Sequence, residues 1–578
     1  MTAPATVDAP EQVEPMRWRR SRAARFAQPL ALDVVKQLAE EHGVCPRPRL
    51  LRMIDETTGR TQVIEVPCRS TRESRCKPCA QRAKRLRAAQ CREGWHRDTE
   101  YPPVKTGDEL QKALIARRAE LEFTKAAAEA RADFEQAAQD QAAIDELEKL
   151  IAAVGMRGRI TRRSIDDEEA GGRRHRSTRR RQDAPDLPRK RVTARTIGRA
   201  FTGRDGTVFR PSMFITLTLP SYGRVRADGT PVDMDSYDYR RAAWDAVHFP
   251  ALLDRFWQNL RRAEGWNIQY FGCVEPQRRL SPHAHFAVRG TIPHAVIRQV
   301  AAATYHQVWW PPTDTVVYGE HDPRPVWSDE AGGYVDPESG EPLPTWDEAM
   351  DLLDVALEQQ PDREPEHVVR FGAQVDSKGV LAGTGEADRL IGYLTKYLTK
   401  SVAECHQAET VAAVEHHRRL YEALRFTPCS ERCANWLRYG VQPKHARRGL
   451  VAGRCKGRVH HPETLGIGGR RVLVSRQWSG KTLADHRWDQ AAWVRKALAL
   501  GLGYRLQELG RTEDGRIRLV RWEVAKPRDR DVADLPRRLL RAVATRIQQR
   551  AQLREALAAV GPPDNDVSAT RLVHGEEA

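Results

Sequence analysis

The sequence predicts an α+β protein in which helices pack on an antiparallel sheet. Two short β-runs, "SMFITLTLP" (212–220) and "IQYFGCVEPQ" (268–277), each end at proline or a turn residue, and a third, "PHAHFAVRG" (282–290), follows at once. Helical runs lie between and after them, so the order from 212 to 401 is β, α, β, β, α, insertion, α. This order favours helices on an antiparallel sheet over a parallel α/β fold.

The helical elements are predicted from their apolar spacing. "FPALLDRFWQNLRRAEG" (249–265) precedes the paired strands, and "IPHAVIRQVAAATYHQVWW" (292–310) follows them. Residues 311–368 are acidic and rich in proline and glycine, with "DEAMDLLDVALEQQ" (347–360) as a clear helix, so we interpret them as an insertion or lid. The last helix is "EADRLIGYLTKYLTKS" (386–401).

Changes in composition divide the rest of the chain. The predicted segments are an N-terminal tail (1–42), a Cys-rich zinc-binding module (43–100), a helical hairpin or coiled coil (101–155), a basic linker (156–204), the α+β domain with its insertion (205–405), a C-terminal Cys/His region (406–525) and a helical tail (526–578). Within the linker, residues 173–199 are so charged and so often interrupted by proline that we expect them not to fold.

The composition favours a polyanionic partner. The formal net charge is +17, while 40% hydrophobic residues and 14 tryptophans allow several buried cores. No run approaches the ~18 apolar residues of a spanning helix, and no apolar segment precedes the first arginines, so we expect a cytoplasmic protein without a membrane partner. In that compartment the ten cysteines are expected to be metal ligands or buried thiols.

A pair of histidines marks the strand 282–290. His283 and His285 are two residues apart, so both imidazoles point to the same face of a strand. Glu275, at the end of the preceding strand, could supply an oxygen ligand. Two nitrogens and a carboxylate would leave positions open on Mg²⁺ or Mn²⁺ for a phosphate oxygen and water. Taken alone, an H-x-H pair is more often incidental than part of a metal site.

Two tyrosines mark the helix 386–401. With about 100° per residue, one arc carries four polar side chains, Tyr393, Lys396, Tyr397 and Lys400. A separate apolar stripe, Ile391, Leu394 and Leu398, is expected to pack on a sheet. The same pattern also suits an ordinary surface helix. A phenol with a pKa of about 10 needs a cation or lysine nearby to attack a phosphodiester, and the products would be a 5′-phosphotyrosine and a 3′-hydroxyl.

The cysteines form two groups. Cys76 and Cys79 have the C-x₂-C spacing of structural zinc sites, with Cys68 as third ligand and either Cys45 or Cys91 as fourth. The surrounding basic residues suggest a DNA-binding module, although a knuckle that only stabilises the fold explains them nearly as well. A second zinc site is predicted from Cys429, Cys433 and Cys455 with either His460 or His461. "SGKT" (479–482) follows a predicted strand, "RRVLV" (470–474), but it is not a phosphate loop, because Ser475 stands at the required glycine.

Three motifs together carry a family resemblance. "FITLTLP", "PHAHFAVRG" and "YLTKYLTKS", in this order, resemble the motifs of HUH endonucleases that initiate rolling-circle replication. The cysteine-rich segments around 43–98 and 429–490 resemble those of initiators from actinomycete plasmids and integrative elements. The resemblance covers residues 43–98 and 205–490. It implies an HUH nuclease core with a ferredoxin- or RRM-like sheet at 205–405 and a metal-dependent DNA nicking activity.

The resemblance also implies a role for each site residue. His283 and His285, with Glu275 less securely, would bind the Mg²⁺ or Mn²⁺, and zinc would be structural. Tyr397 would be the primary nucleophile and Tyr393 the second, with Lys396 and Lys400 stabilising the phosphate or the leaving group.

The implied reaction is a nick at a replication origin that leaves a 3′-hydroxyl primer and is later rejoined. The implied partners are single-stranded and duplex origin DNA, a host helicase and a polymerase. A conjugative relaxase or an HUH transposase is the alternative within this chemistry. A non-catalytic zinc-containing DNA-binding regulator is the alternative from another class.

Overall fold

A computed structural model describes residues 30–56, 59–101, 106–154, 156, 183–206, 208–396, 398–400, 402–405, 409–455, 457–468, 471–502 and 520–560. These residues divide into two compact units. The terminal unit comprises the described parts of Met1–His96, Gly383–Gln407 and Lys481–Ala578, and the central unit those of Arg97–Ala382 and Ala408–Gly480. None of the helices in these ranges combines the length and apolarity needed to cross a membrane.

The terminal unit joins segments from both ends of the described chain. Its helices are α1 (Ala31–Glu41), α2 (Lys77–Trp95), α8 (Gly385–Lys396), α10 (Leu483–Leu502) and α11 (Leu535–Val560). Its antiparallel sheet has the order β14 (Val520–Val524), β1 (Arg49–Asp55), β2 (Thr61–Val66). Ala39 of α1 is buried against Leu539 and Val543 of α11. The segment expected to be an N-terminal tail therefore includes a packed helix.

The central unit is built on a five-stranded antiparallel sheet. Its strands lie in the order β12 (Val375–Leu381), β5 (Pro211–Thr218), β7 (Pro282–Arg289), β6 (Tyr270–Pro276), β13 (Val472–Val474). The inner three strands are the ones expected from the sequence, and β13 lies within the predicted strand "RRVLV" (470–474), whereas β12 was not predicted. An antiparallel sheet with packed helices makes the protein α+β, in agreement with the predicted class.

Helix α5 (Tyr239–Glu264) covers one face of this sheet. The Asp238 side chain accepts a hydrogen bond from the Arg241 N–H at its start, and the left-handed Gly265 ends it. Trp257 stacks on Tyr270 of β6 with ring centroids 4.0 Å apart and meets Phe286 of β7 edge-on. Because side chains alternate along a strand, His283 and His285 lie on the opposite face from Phe286.

Further elements of the central unit surround this core. Helices α3 (Glu109–Ala130) and α4 (Phe134–Ala153) pack against each other around Leu121, Ile144, Leu147 and Ile151. The other elements are β3 (Phe201–Thr202) paired with β4 (Val208–Phe209), α6 (His294–Ala303), and α9 (Val411–Phe426), which packs against α5.

The acidic insertion has its own architecture. β8 (Tyr305–Val308) pairs with β11 (His367–Arg370) and closes the insertion at its base. Within it, β9 (Val326–Ser328) pairs with β10 (Gly333–Val335), and α7 (Trp346–Gln359) begins with a capping box of Thr345 and Glu348. Trp346 and Met350 of α7 share a buried core with Cys433 and Trp436. The insertion and the second cysteine group therefore fold together.

Three local expectations were wrong. The helix predicted at 292–310 ends at Ala303, and its β-branched and aromatic continuation forms β8 instead. The helix predicted at 386–401 ends at Lys396. The basic segment 173–199 was expected not to fold, but its described part, 183–199, is held on the central unit. Lys190 N–H donates to Arg262 O, and Thr196 and Ile197 N–H donate to the Glu100 carboxylate. Residues 173–182 lie outside the described residues.

A buried imidazole, His248, and a half-buried one, His306, link α5 to the base of the insertion. The rings of His248 and His306 lie 5.4 Å apart, and Trp310 lies 4.9 Å from His248. Burial lowers the pKa of His306 to about 4 and that of His248 well below its ordinary value. Both histidines are therefore neutral in the folded protein at neutral pH.

These histidines predict a loss of stability in mild acid. The unfolded chain takes up a proton at His306 below pH 6.5, whereas the folded protein does so only near pH 4, so the unfolding free energy falls as the pH drops between these values. We expect His306→Gln to flatten this dependence by on the order of 2 kcal/mol at pH 4.5. Urea midpoints followed by tryptophan fluorescence between pH 7 and 4.5 would measure it. His321→Gln, at an exposed histidine, is the control, and an equally flat profile there would contradict the assignment.

Candidate metal centres and active site

Three side chains converge on the face of the sheet that α5 does not cover. In the antiparallel register of β6 and β7, Glu275 lies opposite His283, and Cys273 lies opposite His285. Glu275 Oε1 is 3.1 Å from His285 Nε2 and 3.6 Å from His283 Nε2, and the two Nε2 atoms are 2.8 Å apart. All three side chains are at least 88% buried. The structure therefore brings together the three residues that were predicted from the sequence as metal ligands.

Strand β5 orients one of these imidazoles. Thr216 lies opposite His285, and its Oγ1 is 2.9 Å from His285 Nδ1. With the ring proton on Nδ1, that N–H donates to Thr216 and Nε2 presents its lone pair to the cluster. Phe214 stacks on the same ring with centroids 5.7 Å apart. The hydroxyl and the stacked phenyl ring together hold the ring plane of His285.

The electrostatics of the cluster keep Glu275 ionised. Burial by itself would raise the pKa of Glu275, but the contact of its carboxylate with His285 and the nearby charges of His283 and Arg471 outweigh burial and lower it. Two Nε2 atoms at 2.8 Å cannot both present lone pairs without a proton or a cation between them. Two imidazoles and one carboxylate with their donor atoms converging therefore fit a small divalent cation.

The helix that carries Tyr393, α8, belongs to the terminal unit, whereas the sheet that carries the histidines belongs to the central unit. Its apolar residues, Ala387, Ile391 and Leu394, are buried, and the helix packs against α2. The stripe was expected to pack on a sheet, but the element that α8 contacts most is the helix α2. Tyr393 is 39% exposed, and Lys396 and Lys400 are exposed as well. Tyr397 lies outside the described residues, and Lys400 follows the end of the helix.

The first cysteine group lies where the two ends of the β1–β2 hairpin meet the start of α2. Cys45 precedes β1, Cys68 follows β2, Cys76 is the N-cap of α2, and Cys79 lies in its first turn. The four Sγ atoms all lie within 4.8 Å of one another, with Cys45 and Cys76 3.7 Å apart. Bonds of about 2.3 Å to a tetrahedral Zn²⁺ would place sulfurs about 3.8 Å apart. Cys45 therefore belongs to this group, and Cys91, buried further along α2, does not.

The second cysteine group also brings four potential metal ligands together. Cys429, Cys433, Cys455 and His460 converge, with Cys433 Sγ 3.5 Å from Cys455 Sγ and 3.3 Å from His460 Nε2. His460 Nδ1 lies 2.8 Å from the Leu424 carbonyl oxygen. A carbonyl only accepts, so Nδ1 carries the proton and Nε2 offers its lone pair to the thiols, as zinc-binding histidines do. His460, rather than His461, completes this group. Both groups of cysteines could therefore bind zinc.

A further acidic group surrounds a lysine. Glu93, His486 and Asp489 lie together in the terminal unit, with Lys481 Nζ 2.8 Å from Glu93 Oε1 and 2.9 Å from Asp489 Oδ2. The lysine of "SGKT" is thus a partner of two carboxylates, and Thr482 caps α10. This placement agrees with the rejection of a phosphate loop.

The structure adds site residues that the sequence reasoning missed. Thr216 orients His285, and Arg471 lies close enough to lower the pKa of Glu275. Asp376 of β12 pairs with Thr216, so it shares the face of His285 and is exposed there. The alternation of apolar and polar residues in "FITLTLP" was a signal that Thr216 lies on the polar face of its strand. Asp376 gave none, because β12 was not predicted. Arg471 lies in the predicted strand "RRVLV" (470–474), but no local pattern indicates that this strand pairs with β6.

Fold and sites define the class: an α+β protein with a two-histidine, one-glutamate centre on an antiparallel sheet and two cysteine-rich groups. A sequence profile of the RepSA family, described as "Replication initiator protein, pSAM2", matches residues 31–545. The chain therefore belongs to this family of replication initiator proteins. No curated protein and no solved structure matches it. The match begins at the first residue of α1 and ends within α11, so it includes every cysteine and histidine group described.

The geometry of the cysteine groups predicts two zinc ions per chain. Native mass spectrometry of the full chain should show two, and Cys79→Ser and Cys433→Ser should each remove one, because loss of a thiolate opens a four-ligand site. Cys91→Ser is the matched control within α2 and should keep both ions. Loss of zinc from Cys91→Ser would contradict the assignment of Cys45 as fourth ligand.

Proposed function

We propose that the protein is an HUH-type initiator of rolling-circle replication that cuts one strand of its origin through a tyrosine. The observation that carries the proposal is the convergence of Glu275, His283 and His285 on one face of an antiparallel sheet. Three protein ligands leave positions of a divalent cation open to a substrate, unlike the closed four-ligand cysteine groups.

The three ligands would hold Mg²⁺ or Mn²⁺ beside the scissile phosphate. When bound, the cation supplies positive charge that stabilises the phosphate oxygens as negative charge develops. Glu275 contributes the negative charge that favours cation binding, and the two imidazoles contribute neutral nitrogen donors. Thr216 keeps His285 in the tautomer with a free Nε2. A site assembled before the substrate arrives requires little rearrangement during the reaction.

The reaction exchanges one phosphate ester for another. The phenol oxygen of Tyr397 attacks the phosphorus, the bond from phosphorus to the 3′ oxygen breaks, and the 5′ phosphate remains on the tyrosine. The phenol proton leaves, and the released 3′ oxygen takes up a proton to become the primer hydroxyl. Lys396 and Lys400 favour the phenolate and stabilise the leaving oxygen. Tyr393 repeats the same exchange when the replicated strand is rejoined.

DNA binding is assigned to the basic surface around the first cysteine group. Between residues 69 and 87, exposed cationic side chains are Arg69, Arg75, Lys77, Arg82 and Arg85. Glu73 is the one acidic residue in this stretch of the sequence. Such a surface is suited to phosphate contacts, which displace counterions and make binding dependent on salt. Duplex origin DNA is the proposed partner of this surface. The single strand that is cut is the proposed partner of the face that carries His283 and His285. Host helicase and polymerase would extend the primer.

Family membership favours initiation over the related chemistries of conjugative relaxases and transposases. The regulator hypothesis differs because it requires no covalent step. A phosphotyrosyl adduct therefore distinguishes it from the proposed enzyme.

The central prediction concerns that adduct. The full chain, incubated with each single strand of its own element and Mn²⁺, should form a covalent protein–DNA species on a denaturing gel. Mass spectrometry should locate the DNA on Tyr397 or Tyr393. Tyr397→Phe should lower the first cleavage by at least about 100-fold because the attacking oxygen is gone, while DNA binding persists.

Tyr421→Phe, which removes a phenol from α9 of the central unit, is the control and should nick normally. Equal nicking by Tyr397→Phe would move the nucleophile to Tyr393. Tight DNA binding without an adduct on any strand would overturn the enzymatic proposal in favour of a regulator.

A second prediction isolates the role of Thr216. Thr216→Val keeps the shape of the side chain but removes the acceptor for His285 Nδ1, so Mn²⁺ affinity should fall about 10- to 100-fold. Thr216→Ser retains the hydroxyl and should bind within about threefold of the wild type. Calorimetric titration of zinc-loaded protein with Mn²⁺ measures both. An unchanged affinity in Thr216→Val would show that the hydroxyl does not orient the ligand.

A further inference from the structure

The tyrosine helix is carried by the zinc-binding module. Helix α8 lies in the terminal unit, where it packs against α2, and its residues Ala387, Ile391 and Leu394 are buried. The first turn of α2 contains Cys79, and its N-cap is Cys76. One helix of 19 residues, about 28 Å long, therefore joins the cysteine group at one end to the tyrosine helix further along.

Two polar contacts fix α8 and the segment after it. Arg92, in the last turn of α2, lies 3.1 Å from the Asp388 carboxylate in the first turn of α8. Both side chains are at most 35% exposed, so water screens this pair only in part. Glu73 lies between the ligands Cys68 and Cys76, and its N–H donates to the Thr399 carbonyl at 2.8 Å. Thr399 is two residues beyond Tyr397 and adjacent to Lys400.

The loop that makes the second contact depends on the cysteine group for its shape. Residues 67–76 form neither strand nor regular helix, and Arg69 has a left-handed backbone with φ 58°. A segment with so few backbone pairs is ordered mainly by the ligands at its two ends, Cys68 and Cys76. For small modules, the free energy of metal binding is largely the free energy of folding.

We infer that zinc at Cys45, Cys68, Cys76 and Cys79 sets the position of the tyrosine helix, so that the module controls cleavage as well as contacting DNA. The inference rests on the proposed function for its consequence, because α8 matters for cleavage only if Tyr393 or Tyr397 is the nucleophile. The physical coupling itself, from zinc through Glu73 and α2 to α8, does not require that function. Arg92 and Asp388 are positioning residues in this scheme.

Hydrogen exchange measures the coupling without any DNA. In the full chain, Cys68→Ser should speed amide exchange in residues 387–396 at least tenfold, because α8 loses the ordered surface against which it packs. Cys455→Ser is the matched control, since it removes one thiolate from the other group and should leave exchange in α8 unchanged. Unchanged exchange in Cys68→Ser, with loss of its zinc shown by mass spectrometry, would overturn the inference.

The ion pair tests the same coupling in a protein that keeps its zinc. Arg92→Asp should lower the rate constant of adduct formation about tenfold at saturating DNA, with the DNA concentration for half-maximal rate changed less than threefold. Asp388→Arg in the same chain should restore most of the rate by re-forming the pair with opposite polarity. Arg52→Ala breaks the ion pairs of β1 with Asp529 and Asp531 in the same unit, and it should nick normally.

The outcomes separate the inference from the proposed function. If the wild type forms no adduct but α8 exchange depends on Cys68, the proposed function fails and the coupling stands. If the adduct forms but Cys68→Ser loses its zinc without a change of exchange in α8, the coupling fails and the function stands. A double variant no better than Arg92→Asp alone would also contradict a positioning role for the pair.

Discussion

The register between β6 and β7 is the constraint on which the histidine centre depends. Pairing Glu275 with His283 and Cys273 with His285 places a carboxylate and two imidazoles on one face, while Phe286 and Tyr270 meet Trp257 on the other. A slip of one residue would exchange the two faces, so that imidazoles would enter the apolar layer under α5. The aromatic packing on one face therefore fixes the chemistry on the other. Thr216 of β5 extends the same register by one strand.

The terminal unit depends on closure between distant parts of the chain. β14 pairs with β1, α11 packs on α1, and α8 joins them from the middle of the sequence. Contacts so far apart in sequence are entropically costly to form, and a four-ligand cysteine group offsets that cost locally by tying a hairpin to a helix. With the hairpin and α2 tied together in this way, α8 can pack on α2 although the two helices are far apart in the sequence.

The sequence predicted those features that depend on local spacing. The shared face of His283 and His285 follows from strand alternation, and the knuckle of Cys76 and Cys79 follows from its spacing. Contacts between residues that are far apart in the sequence could not be predicted from local spacing. Nothing local distinguishes Cys45 from Cys91, because the choice is made by the hairpin β1–β2, which places Cys45 beside Cys68. Likewise, the apolar stripe of α8 shows that the helix packs but not what it packs on. β12 escaped prediction because three of its residues, Asp376, Lys378 and Gly379, are exposed and polar or small.

The three ligand groups differ in what a metal would add to each. The cysteine groups lie in segments rich in turns, where four ligands would complete the fold and close the coordination sphere of a bound zinc ion. The histidine group lies on strands already held by sheet hydrogen bonds and by a buried layer that includes Phe271, Phe286 and Trp257. A cation there is not needed to order the backbone, and three ligands leave part of its coordination sphere unused by the protein. A centre that the fold does not require, placed on a face that keeps polar residues, is therefore the one to which the proposed function assigns the substrate.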